Sequence, residues 1–352
     1  MVTQTNFWHK KSVVITGHTG FKGAWLTLWL NRLGAQVTGI SLPPITETNL
    51  FSLAGVDQLC ESHFCDITDR EQIRALICNA NPEIVFHLAA QSLVRVSYRE
   101  PVETFAINVM GTTNVLEALR GLNSIKAAIM ITTDKVYHNN EWPWPYRETD
   151  ALGGHDPYSA SKAASEIVIS SYRDAFLRQQ GVAVASARAG NVIGGGDWSK
   201  DRIIPDAVRC WQSGHPLRIR RPNSVRPWQY VLEPLAGYIS LAEQLWTKPE
   251  ISGAYNFGPE PHESATVRDV VELALSFYGK GRVEYGDGSE GPHEAGYLAL
   301  DIAKARRVLG YNPRWSLPEA VRRTLAWYRC QQLGDRADLL CEQEIAAFEA
   351  SP

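Results

Sequence analysis

Cysteine is sparse in this 352-residue chain, with six residues scattered at Cys60, Cys65, Cys78, Cys210, Cys330 and Cys341. The closest pair, Cys60 and Cys65, has His63 between them, and no second cluster completes a four-ligand zinc site. The expectation is reduced thiols and no metal. No stretch approaches the about 20 apolar residues of a membrane span. The start, Met1 to Lys11, is polar, and the apolar run Val13–Ile15 is too short for a signal-peptide core. Lys/Arg blocks are missing, and a formal net charge of −3 gives no reason to expect nucleic acid. Internal repeats and low-complexity segments are absent too. These absences leave a cytoplasmic globular protein, for which 44% apolar and 21% charged residues are ordinary. The length allows one large domain or two modest ones.

What the chain does have is a Tyr–Lys pair, Tyr158 and Lys162, within Tyr158-Ser-Ala-Ser-Lys162. A helix over 157–178 puts the two on one face. A phenol is a poor base at neutral pH, and a nearby ammonium favours the phenolate. The pair therefore suits removal of a proton from a substrate alcohol. Alone it is weak evidence, since a Tyr on a core face followed by a solvated Lys looks the same.

The upstream pattern adds weight. Ser12–Thr16 reads as a buried strand that runs into Gly17-His-Thr-Gly20-Phe-Lys-Gly23 and an apolar helix, Ala24 to Leu33. Gly17 permits a tight turn, Gly20 lets backbone approach a pyrophosphate, and Gly23 lets helix and strand pack closely. The helix N-terminus offers free N–H groups to phosphate. A second strand, Gln36–Ile40, ends in Ser41-Leu-Pro-Pro, without the acid that usually holds the adenosine ribose. No Arg follows to hold a 2′-phosphate, which favours NAD over NADP. Asp66 and Ile67, after a third strand, suit an adenine, and Asp66 also suits the cap of a helix Thr68–Cys78. Strand Glu83–Leu88 ends in small residues, Ala89 and Ala90, then Gln91. After a helix Pro101–Arg120, the strand Lys126–Thr133 delivers Thr132, Thr133, Asp134 and Lys135 to the same edge. Val182–Arg188 is a sixth strand. This alternation predicts an α/β fold, a Rossmann-type doubly wound parallel sheet, with a smaller C-terminal mixed α/β substrate domain. The expected division is 1–190 for cofactor and catalysis and 191–345 mainly for substrate, with some segments rejoining the sheet.

These motifs, with His87-Leu-Ala-Ala90, resemble the extended short-chain dehydrogenase/reductases that act on nucleotide sugars. Glu141-Trp142, Arg188-Ala-Gly-Asn191 with Gly194 to Trp198, and Arg226-Pro-Trp-Gln229 extend the likeness from about residue 7 to about residue 330. Asp134-Lys135, where the dTDP- and GDP-sugar dehydratases are expected to have Asp-Glu, resembles the branch that dehydrates CDP-glucose. The alternatives are a sibling dehydratase, a 4-epimerase, and, remotely, a non-catalytic NAD-binding scaffold.

The resemblance implies NAD held by Gly17, Thr19, Gly20, Phe21, Lys22, Gly23, Ser41, Asp66, Ile67, Leu88, Ala89, Ala90, Gln91, Thr132, Tyr158, Lys162 and Arg188. It implies CDP-glucose held by Asn191, Arg202, Arg226, Gln229, His293 and Tyr297, with Arg226 the preferred phosphate anchor among the basic residues of 202–226. Thr133, Asp134, Lys135, Tyr158 and Lys162 are the implied catalytic set. Asp134 would act as acid for a leaving hydroxyl and Lys135 as base at C5, roles that need the reverse of the charges free Asp and Lys carry at pH 7. Proton exchange within the pair meets this need. So does a charged Lys135 that stabilises an enolate while water takes the proton. The stretch Glu141 to Tyr146, with two prolines and three aromatics, is expected to form a stiff flap over the sugar. Helices 101–120 and 157–178 are expected to pair with a second copy in a homodimer. The tail from Gly334 carries no motif.

Overall fold

The computed structural model describes residues 5–289, 291 and 295–351. A sheet of seven parallel strands divides the molecule: β1 Ser12–Thr16, β2 Gln36–Ser41, β3 Glu61–Phe64, β4 Ile84–His87, β5 Ala127–Ile131, β6 Ala183–Ala189 and β7 Gly253–Phe257. Their order is β7-β6-β5-β4-β1-β2-β3, with every neighbouring pair parallel. Val13 pairs with Val37 on one side and Ile84 on the other, which sets the register at the centre. The chain reverses direction between β1 and β4, the switch point where open α/β sheets bind ligands. Strand side chains alternate between two apolar cores: Val13 and Ile15 face one, Val14 and Val85 the other.

Helices cover both faces. Phe21–Arg32 begins at the glycine turn, three residues earlier than the apolar run suggests, because Gly20 already caps it in extended conformation. Arg70–Ala80 is capped by Asp69, whose side chain accepts from Gln72 N, and not by Asp66. Asp66 instead closes a local turn, its Oδ1 accepting from Thr68 N and Oγ1. The segment expected as one helix over 101–120 is helical at Pro101–Phe105 and Thr112–Ala118, joined by a π segment, Ala106–Gly111. The wide turn aims Asn108, which bonds both Gln91 and Ser161, at the catalytic edge. Pro157–Tyr172 starts at Asp156, which accepts from Ser159 N, and Pro157 fits its first turn.

The second half contributes β7 to the sheet edge and the buried helix Leu232–Thr247 behind β5 and β6. Short ribbons pair 217–219 with 283–285 and 225–226 with 265–266. A helix, Ala303–Leu309, follows Asp301, whose side chain accepts from Ala303 N. The tail forms a helix, Ala337–Ala350, whose Glu349 accepts from Trp29 Nε1 of the helix after the glycine turn. Leu340, Ile345 and Phe348 carry its apolar side into the first core. No described helix is long and apolar enough to cross a membrane.

Candidate active site

One cavity of about 1300 Å³ opens along the C-terminal edge of the sheet. The loops after β1 to β6 all reach it, so residues far apart in sequence converge there. The glycine turn forms one wall. Gly17 has φ +81°, and a Cβ on it would lie 2.7 Å from Ala89 N. A Cβ on Gly23 would lie 2.0 Å from Gly17 O, so any other residue would push the helix off the turn. Around Gly20 the nearest obstacle is Gly17 O at 3.4 Å, which leaves that backbone open to the cavity. Thr19 Oγ1 bonds Ser41 Oγ at 2.8 Å and Leu42 O at 2.9 Å, tying the turn to the end of β2. This cradle of close backbone, helix N-terminus and small strand-end residues fits a dinucleotide. Asp66, Ile67, Leu88, Ala89, Ala90, Gln91 and Thr132 line the same hollow.

Thr133, Asp134, Lys135 and Tyr158 face the cavity together. Thr133 caps a short 3-10 turn, Asp134–Val136, and its Oγ1 donates to Asp134 Oδ1 at 2.9 Å. Asp134 is 1% exposed, and its Oδ2 has no hydrogen-bond partner among the described residues. Lys135 Nζ lies 3.6 Å from Asp134 Oδ1 and is 30% exposed. Burial pushes the Tyr158 phenol up to about 12, with Thr133 and Arg202 pulling it down and Asp134 and Asp156 opposing them. Burial pushes Lys162 down to about 8 against the pull of Glu166.

Lys162 does not border the cavity; it lies behind it, and its Nζ donates to Ile131 O at 3.2 Å. The amine is thus held at the end of β5 rather than at the phenol. Lys22, on the cavity wall, is also held down to about 8, by burial first and then by Arg202 and Lys162. His87, bonded to Thr16 and Thr112 behind the site, is neutral at all ordinary pH, because burial and Lys162 lower it to about 3.

On the substrate side, Asn191, Arg202 and Arg226 line the cavity. Arg202 presents a buried Nε without a hydrogen-bond partner among the described residues. Arg226 is tied to its own scaffold, Nη1 donating to Val225 O at 2.8 Å and Nη2 to Ala295 O at 2.5 Å. Three expected contacts are placed elsewhere. Gln229 is buried and donates to Phe257 O at 2.9 Å, away from the cavity. Tyr297 does not line it, and its carbonyl accepts from Asn139 Nδ2. Arg188, near the end of β6, is held in a buried ion pair with Glu166, N–O 2.8 Å, and does not line the cavity, so its guanidinium does not reach a cofactor at the glycine turn. His293 falls outside the described residues.

The Trp-rich stretch, expected as a flap over the sugar, does not lie over the cavity. Tyr137, Tyr146, Trp142 and Trp144 form a ladder with ring centroids 5.1–5.3 Å apart. From this stack Glu141 Oε1 accepts from Gly296 N, and Tyr146 N donates to Ala299 O, clipping 296–299 in place. Of 141–146, only Glu141 reaches the cavity.

Glu166 was not singled out by the sequence reading, although it follows Tyr158 and Lys162 at spacings of eight and four on the same helix face. Lys22, expected at the cofactor, and Glu141, from a matching motif, both line the cavity.

Comparison with known proteins agrees with this architecture. Residues 14–324 match the family described as GDP-mannose 4,6 dehydratase. The chain is 47% identical over 349 residues to a CDP-glucose 4,6-dehydratase of Salmonella typhimurium, covering 97% of each. It is 30% identical over 331 residues to a dTDP-glucose 4,6-dehydratase of Streptomyces antibioticus, covering 90% of this chain and 92% of the relative. Among solved structures, the Thermus thermophilus UDP-glucose 4-epimerase complex with NAD superposes with a TM-score of 0.75 at 25% identity, covering 90% of this chain and 98% of that one.

Proposed function

Because the chain belongs to the GDP-mannose 4,6-dehydratase family, we propose that it removes water from CDP-glucose to give CDP-4-dehydro-6-deoxy-glucose, with NAD as its resident cofactor. The observation that carries this reading is the meeting of Thr133, Asp134, Lys135 and Tyr158 on one cavity whose opposite wall is the glycine turn. NAD, when bound, supplies a hydride acceptor for C4 and a donor for C6.

The chain's own groups handle protons and charge. Tyr158 receives the C4 hydroxyl proton, and Thr133, beside it, orients that oxygen. Once C4 is a ketone, the C5 proton is acidic. Lys135 takes that proton, and Asp134 gives one to the C6 hydroxyl, which departs as water; on reduction at C6, C5 takes a proton back from the Lys135 ammonium, which exchanges with solvent, and the proton held by Tyr158 restores Asp134. Thr133 donates to Oδ1 of Asp134, which leaves Oδ2 as the oxygen that can carry the proton given to the C6 hydroxyl. Arg202 and Arg226 provide positive charge for the diphosphate, and Asn191 a polar contact for the sugar end.

A homodimer is part of the proposal. Helices 101–118 and 157–172 pack against each other and leave Val102, Met110 and Ile167 exposed at 73%, 53% and 62%. A second copy of this chain would cover such residues, and sedimentation of the purified protein tests it. The free cysteines suit a reducing cytoplasm.

Incubation with CDP-, dTDP-, GDP- and UDP-glucose tests the function. A 4-keto product from CDP-glucose with at least about tenfold higher kcat/KM than from the others is the expected result. Preference for another nucleotide would move the chain to a sibling activity.

A further inference from the structure

Behind the catalytic turn lies a buried polar network that the proposed chemistry does not use. Its centre is Glu166, on the helix that carries Tyr158 and Lys162. Its carboxylate accepts four hydrogen bonds from three residues. Thr132 Oγ1 donates to Oε1 at 2.5 Å and Ser186 Oγ to Oε2 at 2.7 Å. Arg188 closes a two-pronged pair, Nε to Oε1 at 3.0 Å and Nη2 to Oε2 at 2.8 Å. Both members of this pair are 4% exposed.

The network then runs outward. Arg188 Nη1 donates to Tyr137 Oη at 2.9 Å and to Glu148 O at 3.2 Å. Tyr137 donates to Asn256 Oδ1 at 2.6 Å, and Asn256 Nδ2 donates to Tyr146 O and Asp301 O. One carboxylate thus holds both flanks of the turn Thr133–Val136: Thr132 directly, and Tyr137 through Arg188.

An ion pair this buried is an expensive way to hold a fold, and an apolar pair of similar volume often serves as well. Its position offers a second reason. Glu166 stands one helical turn beyond Lys162, the group whose charge the Tyr158 chemistry needs. The other ionisable groups around Lys162 are Tyr158 on its own helix, Lys22 on the glycine-turn helix and His87 at the end of β4. Among these, Lys22 and His87 oppose an ammonium or are neutral.

We propose that Glu166 is a positioning residue of this active site, which fixes Thr132 and Tyr137 about the catalytic turn and holds the ammonium form of Lys162. The inference rests on the Tyr158–Lys162 reading above. It makes Arg188 the neutralising partner that lets an anion persist in the interior, and gives the ion pair a task beyond stability. The electrostatic balance at Lys162, where burial lowers it to about 8 and Glu166 raises it, agrees in sign.

The test is made on the full chain without substrate, so it is separate from the identity of the sugar nucleotide. The paired variant Glu166→Gln with Arg188→Met removes both charges and leaves no buried ion unpaired. Lysine labelled with carbon-13 at the ε position is titrated by NMR, with Lys162 assigned by the signal missing in Lys162→Met. We expect the Lys162 midpoint to fall by about one pH unit or more in the paired variant. With CDP-glucose, the alkaline decline of kcat should move to lower pH by the same interval, about tenfold in rate on that limb. An unchanged Lys162 midpoint, or a kcat profile scaled down without a shift, overturns the proposal. Should the paired variant not fold, Glu166→Asp keeps the charge on a shorter arm. It is expected to lose rate through a displaced Thr132 while keeping the Lys162 midpoint of the parent, and a midpoint lowered by a unit there overturns the proposal too.

Discussion

Lys135 Nζ stands 3.6 Å from Asp134 Oδ1, outside hydrogen-bond range yet near enough for the two charges to couple, while Asp134 Oδ2 is buried without a partner among the described residues. The pair is therefore split between solvent and interior: the amine is partly exposed, the carboxylate enclosed. That asymmetry suits the elimination step, in which a proton leaves C5 and another arrives at the C6 oxygen.

If Lys135 is the base, Lys135→Met loses solvent-deuterium incorporation at C5 by about a hundredfold or more, as removal of a general base does. Mass spectrometry of product formed in deuterium oxide measures it. Incorporation at the parent rate assigns the proton transfer to water instead, with Lys135 as an electrostatic stabiliser. Asp134→Asn is expected to slow product formation while oxidation at C4 still shows its isotope effect.

The two cavity arginines should separate by function. Arg226 is anchored to the carbonyls of Val225 and Ala295, whereas Arg202, which also lines the cavity, has a buried Nε without a hydrogen-bond partner among the described residues. Arg202→Met is expected to raise KM for CDP-glucose about ten- to a hundredfold, the loss of one charge-assisted hydrogen bond. Arg226→Met should lower Tm more than Arg202→Met does, because it also releases the backbone at Ala295. Steady-state kinetics and calorimetry on both variants check the contrast, and equal effects on KM and Tm contradict it.

Away from the site, Glu233 gives a stability signature. Its Oε1 accepts from the backbone N of Arg314 and Trp315, and Oε2 has no partner among the described residues. Burial pushes its carboxyl up to about 7, against the two backbone bonds that pull it down. An unfolded chain releases that proton near ~4.3. The folded state thus holds the extra proton between those values, and this group's contribution to stability falls as pH rises from about 4 to about 7. Glu233→Gln keeps the acceptor and is expected to stabilise the protein at pH 8, on the order of 2 kcal/mol. The gain should vanish near pH 4.5, and a gain independent of pH would show that the carboxylate charge is not its source.

The fold and the cofactor wall were legible because they depend on local rules. A buried strand followed by Gly17, Gly20 and Gly23 has few uses, and strand–helix alternation points to a parallel sheet. Thr133, Asp134, Lys135 and Tyr158 were legible because they stand at strand and helix ends with fixed spacings. The substrate side was not, since whether an arginine faces a cavity or a carbonyl depends on tertiary neighbours. Arg188 belonged to a matching motif, yet Glu166, whose charge claims it, lies 22 residues earlier. The Trp142–Trp144 stretch looked like a flap from its stiffness, but stiffness does not give direction, and the rings stack on Tyr146. The π segment at 106–111 is likewise invisible in the side-chain pattern, since it changes the turn and not the residue types.

The central claim is that hydrogen leaves C4 of the hexose and returns to C6 of the same molecule while Tyr158 and the Asp134–Lys135 pair move only protons. CDP-glucose deuterated at C4, mixed with unlabelled substrate distinguished by carbon-13, tests it most directly. The account predicts deuterium at C6 of product from the labelled molecules alone. Product without deuterium at C6, or deuterium scrambled onto the carbon-13 population, would contradict it.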